Sequence, residues 1–266
     1  MEKNLCKVCG SETVKLFSKK VLDKYDVSYY WCSGCGFMQT EKPYWLPEAY
    51  SSAIASVDVG LVNRNIQFSN VIEDIIYKYF DKHGKFLDFA GGYGLFVRIM
   101  RDKGFDFYRK DKYCENLFAK HFDINDLPDT NQKFELITAF EFMEHSENPF
   151  KELNWILSMA DSFLFSTELI PNQDVENWWY LGAEHGQHIS FYTKHCLEVI
   201  AKKYDKIYYG CGHLHLFTNK KDLEIFKNIL SPKNLIRKIK EKVLLSGKLK
   251  SKTWEDFQIV IKKEKR

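Results

Sequence analysis

The chain has 266 residues, 45% of them hydrophobic and 28% charged, and a formal net charge of +3. That charge is too small to argue for a nucleic-acid or membrane-surface partner by itself, and no apolar run approaches the roughly 18 residues that a bilayer span needs. The length allows one large domain, or a medium domain joined to a small module.

The first stretch, MEKNLCKVCG, lacks the apolar core of a signal peptide. A cytoplasmic location is therefore expected, where thiols stay reduced and the seven cysteines read as metal ligands or buried thiols. Cys6, Cys9, Cys32 and Cys35 form CxxC–x22–CxxC, and each pair is followed at once by Gly. Such a turn aims two thiolates and its backbone amides at one ion, and two turns complete a tetrahedral site. With all four positions filled by protein, a zinc ion here is expected to be structural. Its binding energy, on the order of 10 kcal/mol, would hold a module too small to have its own core. An iron–sulfur cluster is the competing occupant. Short β-branched and aromatic runs between the pairs suggest hairpins, so residues 1–40 read as a zinc-ribbon module. EKPYWLPEAY, with two prolines, reads as a linker. Ile66, Val71, Ile75, Ile76 and Tyr79 recur at helical spacing in the segment that follows. Residues 41–82 thus read as a linker and a lead-in helix.

From residue 83 to residue 266 strands and helices alternate. KFLDFA, FDFYRK, KFELITAF, DSFLFSTE, KIYYGC and DFQIVIKK read as strands. LFVRIMRDKG, NPFKELNWILSMA and TKHCLEVIAKKY read as helices, the last opened by Thr193 as a cap. This alternation argues for an α/β fold with a doubly wound sheet. The Lys-rich run 233–252 reads as a helix with a solvated face. Cys114, Cys196 and Cys211 are isolated and read as small buried hydrophobes.

Between the first strand and its helix, FLDFAGGYGLFVRIM places Asp88, Ala90, Gly92 and Gly94 at alternate positions. Small residues there let the backbone turn sharply and approach a nucleoside, although the spacing is not that of a GxGxxG fingerprint. Asp111 ends the next strand, 23 positions after Asp88. A carboxylate at that place can accept both ribose hydroxyls.

These residues, together with FELITAFEFMEH, resemble motif I, the ribose acid and the fourth-strand motif of the class I S-adenosylmethionine-dependent methyltransferases. Ala90 stands where Gly is more usual. The resemblance implies a Rossmann-like seven-stranded sheet whose last strand is antiparallel, with S-adenosylmethionine as cofactor. It implies that Asp88, Ala90, Gly91, Gly92 and Gly94 approach the methionine part, Asp111 holds the ribose, Asp123 lies near the adenine, and Phe140 lines the methionine side. A zinc ribbon ahead of such a domain is similar to the bacterial sugar C- and O-methyltransferases of deoxysugar and surface-polysaccharide pathways. Some of those carry Y-x-E-H-F-S-Y after the fifth strand, with its His as base. QHISFYT places His188 on that His, with Gln187 where Glu is expected, while Glu184 and His185 stand three residues earlier.

Methyl transfer to oxygen is an in-line displacement in which the attacking hydroxyl also loses a proton. A positioned His near its normal pKa contributes about 10²–10⁴-fold to such a step. His188 is the expected general base, His185 the second candidate, and Glu184 the group that orients one of them. Two competing readings are that both His residues tie the loop to the sheet, and that they hold a metal which Glu144 and His145 approach in space. His213 and His215 read as structural. Trp178, Trp179 and Tyr180 read as a lid, a sugar-stacking platform or core. On the resemblance alone, Tyr44, Tyr50 and Arg64 would close the pocket from above.

The expected function is O-methylation of a small acceptor, a nucleotide-activated sugar or a phosphate- or phosphoramidate-type precursor, in surface or capsular polysaccharide biosynthesis. The alternatives are a sugar C-methyltransferase, a zinc-ribbon nucleic-acid methyltransferase and an inactive binding protein. TAFEFMEH is not the Asn/Asp-Pro-Pro-aromatic motif used on exocyclic amines. Glu2, Glu12, Asp23 and Asp26 offset the ribbon's lysines, so a nucleic-acid partner is not expected.

Overall fold

A computed structural model describes residues 4–51, 58–129, 132–224, 258, 261 and 262. The run 233–252 lies outside the described residues. Of DFQIVIKK only Gln258, Ile261 and Lys262 are described, and these are helical rather than extended.

The N-terminal part forms β1 (Val14–Val21), β2 (Tyr25–Trp31), β3 (Met38–Thr40) and a short helix α1 (Leu46–Ala49). Helix α2 (Leu61–Tyr79) follows. The alternating part then runs β4 (Lys85–Phe89), α3 (Leu95–Asp102), β5 (Asp106–Lys110), β6 (Leu136–Ala139), α4 (Pro149–Met159) and β7 (Phe163–Ser166). After a long connection come β8 (Ser190–Phe191), α5 (Lys194–Lys203), β9 (Ile207–Cys211) and β10 (Leu214–Thr218).

The larger sheet has six strands among the described residues, in the order β5-β4-β6-β7-β10-β9. β5, β4, β6 and β7 are parallel, and β10 runs antiparallel to both of its neighbours. Beside β5, where a further parallel strand would lie, there is one parallel bridge between Arg109 and Asp123. The chain passes from β4 outward to β5 and then returns to the other side of β4 as β6. This reversal opens a crevice at the carboxyl ends of the strands, where ligands of such sheets bind.

Strand alternation sends successive side chains to opposite faces. Phe86, Leu136, Leu164, Leu214 and Leu216 pack against Phe68, Ile72, Ile75 and Ile76 of α2 and Phe96, Val97 and Met100 of α3. Leu87, Ile137, Phe163, Phe165 and Phe217 pack against Leu153 and Ile156 of α4 and Leu197 and Ile200 of α5. The helical spacing seen in the sequence of α2 is real, but Ile66 is on its exposed side, and Phe68 and Ile72 take the buried one. Thr193 caps α5, its hydroxyl oxygen accepting from the backbone N–H of Cys196 at 3.1 Å.

The smaller sheet is antiparallel, in the order β1-β2-β3-β8. Its last strand comes from the far part of the chain: Met38 pairs with Phe191 and Gln39 with Ser190. EKPYWLPEAY is not a free connector. Trp45 within it is buried, packed among Val21, Val27, Tyr29 and Ile189. The N-terminal module is therefore closed only with residues 183–191. No helix among the described residues is long and apolar enough to cross a membrane.

Candidate active site

A cleft of about 2460 Å³ opens over the carboxyl ends of β4, β5 and β6. One wall is the glycine loop. Asp88 is buried, its Oδ1 accepting the Thr138 hydroxyl at 2.7 Å, and burial pushes its carboxyl up to about 7. The loop folds back tightly over it. A Cβ on Gly91 would stand 2.7 Å from Asp88 Oδ2 and 3.0 Å from Arg109 Cγ. Ala90 and Gly92 both have φ of 54°, in the left-handed region that glycine reaches without strain and alanine does not. Gly94, at φ 86°, is pressed against Asn116 and Ala119.

Asp111 closes this wall. Its Oδ2 accepts the backbone N–H of Gly92 at 3.0 Å, and its Oδ1 accepts those of Tyr113 and Cys114 at 2.7 and 2.8 Å. An ionised carboxylate has about four acceptor positions, so three amides leave capacity for a ligand hydroxyl. Phe140 lines the cleft with its ring stacked on Phe68 at 4.4 Å.

Asp123 is not among the residues that line the cleft. Its Oδ1 takes the Nε–H of Arg109 at 2.6 Å and its Oδ2 the side-chain amide of Asn116, because the third strand is reduced to a bridge at this residue. Arg109, 4% exposed, is the residue that sequence reading missed. It donates to the carbonyls of Gly92 and Cys114 and so holds the loop from behind. The available signal was a cation inside a strand otherwise flanked by aromatics, where burial requires a partner.

The opposite wall is the histidine end. His145, His185 and His188 all line the cleft, with ring centroids of His145 and His185 at 4.9 and 4.7 Å from that of His188. Each is held neutral. Burial lowers His145 to about 3, His185 is lowered by burial, and His188 lies well below its ordinary value, first through burial and then through its two neighbours. His188 Nδ1 donates to the Tyr180 carbonyl at 2.6 Å, which leaves the Nε2 lone pair available. His185 differs: its Nδ1 accepts the Gln187 backbone N–H at 3.2 Å, and its Nε2 is packed so closely on Gly182 that a Cβ there would meet it at 2.3 Å. Glu184 lines the cleft from its exposed rim. Sequence reading did not assign Glu144 a catalytic role. It is fully buried, its Oε1 accepts the Tyr180 phenol at 2.6 Å, and burial with the nearby Glu141 charge pushes its carboxyl up to about 8.

The other sequence candidates divide. Tyr44, Tyr50 and Arg64 line the cleft, Arg64 in a two-bond pair with Asp58 at 3.0 and 2.9 Å. Trp179 is 72% exposed on the rim, whereas Trp178 packs on the N-terminal module. His215 is buried between the Tyr208 phenol and the Thr167 carbonyl, a structural role. Gln258 and Ile261 add to the lining.

Outside the lining of the cleft, the sulfurs of Cys6, Cys9, Cys32 and Cys35 all lie within 4.8 Å of one another. Cys6 and Cys35 are 3.5 Å apart, and Cys9 and Cys32 3.3 Å. A zinc–sulfur bond of about 2.3 Å in a tetrahedron requires sulfurs roughly 3.8 Å apart, so this set fits the ion. The two turns match: the N–H groups of Gly10 and Gly36 donate to the carbonyls of Cys6 and Cys32, and both glycines have positive φ, 76° and 73°.

No curated protein matches the chain. Among solved structures it is similar to CalO1, a methyltransferase of calicheamicin biosynthesis, at 12% identity and a TM-score of 0.39, over 53% of this chain and 50% of that one. It is also similar to the magnesium protoporphyrin IX methyltransferase ChlM of Synechocystis PCC 6803, at 12% identity and a TM-score of 0.44, over 65% of this chain and 90% of that one. The chain spans about half the length of the first two structures it resembles, CalO1 and the mitomycin 7-O-methyltransferase MmcR. The family model described as a methyltransferase domain matches residues 64–205, which is more than half of the sequence and holds both walls of the cleft, and the chain belongs to that family.

Proposed function

We propose that this chain transfers a methyl group from S-adenosylmethionine to an oxygen of a small acceptor. One observation carries the reading: the glycine loop with Asp111 faces a neutral histidine cluster across a single cleft. When bound, the cofactor supplies an electrophilic methyl group on sulfur. The backbone of Gly91 to Gly94 gives it close approach, Asp111 receives a ribose hydroxyl, and Phe140 bounds its methionine side. The histidine end receives the acceptor. A hydroxyl must lose its proton as it attacks, and His188, with its free Nε2, is the central group there. His185 positions the loop, and Glu184 stands at the acceptor's entrance. Four thiolates hold a structural zinc ion.

For the acceptor we propose a nucleotide-activated sugar, or a phosphate- or phosphoramidate-type precursor, of surface or capsular polysaccharide biosynthesis. The cleft is large enough for donor and acceptor together, Trp179 offers a flat exposed ring at its rim, and Lys151 adds a cation to the lining. The test is calorimetric titration with S-adenosylhomocysteine, followed by transfer of a labelled methyl group to a panel of nucleotide sugars and phosphorylated precursors. Absence of cofactor binding by the native protein would overturn the reading, and labelling of RNA or DNA instead would overturn the acceptor class.

A further inference from the structure

Glu144, His145 and His188 bring one carboxylate oxygen and two ring nitrogens within 4.8 Å of one another. We propose that these three side chains form a site for a first-row divalent cation at the acceptor end of the cleft. The proposal rests on that end being the acceptor's, and it names the means by which the acceptor oxygen is activated.

The donor set comes first. One carboxylate and two imidazoles suit the ions from manganese to zinc, and three protein ligands leave positions for water or substrate. The second observation is an orphan. Glu144 is fully buried, yet its Oε2 has no hydrogen-bond partner. A buried carboxylate oxygen without a partner is costly, and a cation held by the neighbouring rings would satisfy it. The third is support from behind. The Tyr180 phenol donates to Glu144 Oε1 at 2.6 Å, the Tyr180 carbonyl fixes His188 Nδ1–H at 2.6 Å, and the Tyr50 hydroxyl meets His145 Nδ1 at 2.8 Å. Contacts of this kind set the tautomer and direction of metal ligands. His145 and His188 border the open cleft, so an ion reaches the site from there, and Glu141 on the same wall adds a negative charge.

A cation at this place takes the acceptor hydroxyl as a ligand in exchange for water. It lowers the pKa of that hydroxyl, and the proton passes to water in the open cleft. The site is chemically distinct from the four thiolates, which select zinc, whereas nitrogen and oxygen donors also accept manganese.

The test uses the full chain as purified, titrated with Mn²⁺ alone and followed by the loss of the free-ion electron paramagnetic resonance signal. One Mn²⁺ per chain is expected, bound at least roughly ten-fold more weakly by Glu144→Gln and by His188→Ala. S-adenosylhomocysteine affinity, measured on the same samples, should not change. If Glu144→Gln does not fold, Tyr180→Phe, which removes only the orienting hydroxyl, is expected to weaken Mn²⁺ by roughly ten-fold. Co²⁺ added to the native protein should give a visible spectrum without a thiolate charge-transfer band. A native protein that binds S-adenosylhomocysteine but neither Mn²⁺ nor Co²⁺ overturns the proposal, as does Mn²⁺ affinity unchanged by these substitutions. Mn²⁺ binding as described, without S-adenosylhomocysteine binding, overturns the methyltransferase reading instead and leaves the cation site standing.

Discussion

The indole nitrogen of Trp45 donates to the carbonyl of Gly186 across 2.8 Å, although 141 residues separate the two in sequence. Gly186 has φ of 67°, and a Cβ there would meet Val21 at 2.8 Å. The same seam carries Leu22 N–H to the Ala183 carbonyl, Thr40 N–H to the Ile189 carbonyl and the Gln187 side-chain amide to the Ala49 carbonyl. The loop that bears His185 and His188 is therefore moulded by the N-terminal module. Gln187, which stands where an acid was expected, serves this seam.

The four cysteines then act at a distance on the histidine end. Cys32→Ser removes one ligand of the proposed zinc ion and should release the metal and lower the melting temperature. Acceptor KM should rise while S-adenosylhomocysteine affinity stays within a few-fold, because the glycine loop lies on the other wall. Metal content, thermal melts and calorimetry check this, and equal loss of donor and acceptor binding would show that the module has no selective tie to the loop. Trp45→Ala should act in the same sense, at a cost of about 3–5 kcal/mol for a buried aromatic.

Gly91 has no room for a side chain. A methyl group there would lie 2.7 Å from Asp88 Oδ2 and 3.0 Å from Arg109 Cγ, both of which shape the loop. Gly91→Ala is expected to lower S-adenosylhomocysteine affinity by at least about ten-fold, since close backbone approach is what the loop provides. Gly104, at φ 94° with nothing within 4 Å of its Cβ position, is the control. Gly104→Asn should change stability by no more than about 1 kcal/mol and leave affinity alone. Equal effects in the two variants would show that the loop contact carries no special weight.

Much of this was legible in the sequence, for reasons that differ by element. The strands and helices of the α/β part were readable because period and punctuation agree, as in KFLDFAGGYG with its buried Phe86 and Leu87. The cysteine pairs were readable because their spacing is local. The three acids within HFDINDLPD are equivalent in sequence, and only the fold pairs Asp123 with Arg109. Glu144 entered the sequence reading only as a group that could approach a metal, because its neighbours Tyr180 and His188 arrive from distant chain. The strand β8 is only two residues long, too short to leave a pattern, so the dependence of the histidine loop on the N-terminal sheet could not be read.

Asp88 makes stability fall as pH rises. Its carboxyl is pushed from an ordinary 3.8 up to about 7 by burial. A folded-state pKa above the unfolded one means that the folded state holds the proton more tightly, so the contribution is full below the unfolded value and is lost as pH climbs through the folded one. In cofactor-free protein, the native chain should lose stability relative to Asp88→Asn between pH of about 4 and 7. Asparagine keeps the shape and can still accept the Thr138 hydroxyl, but does not ionise. Melting temperatures of both proteins across that window give the answer, and a constant difference between them would show that Asp88 does not titrate there.

His185 and His188 should separate by phenotype. His188 presents a free Nε2 to the cleft, while the Nδ1 of His185 accepts the Gln187 N–H and its Nε2 lies against Gly182. His188→Ala is expected to lower kcat by about 10²-fold or more, the scale of losing the group that activates the acceptor hydroxyl, as base or as ligand of the proposed cation, with S-adenosylhomocysteine affinity unchanged. His185→Ala removes a loop support instead, so acceptor KM should rise with a smaller loss in kcat. Steady-state kinetics on both variants, with calorimetry to show that the donor still binds, distinguish the two roles. The reverse ranking, with kcat lost in His185→Ala and kept in His188→Ala, would move the proton-handling group to His185 and require that ring to leave Gly182 when the acceptor binds.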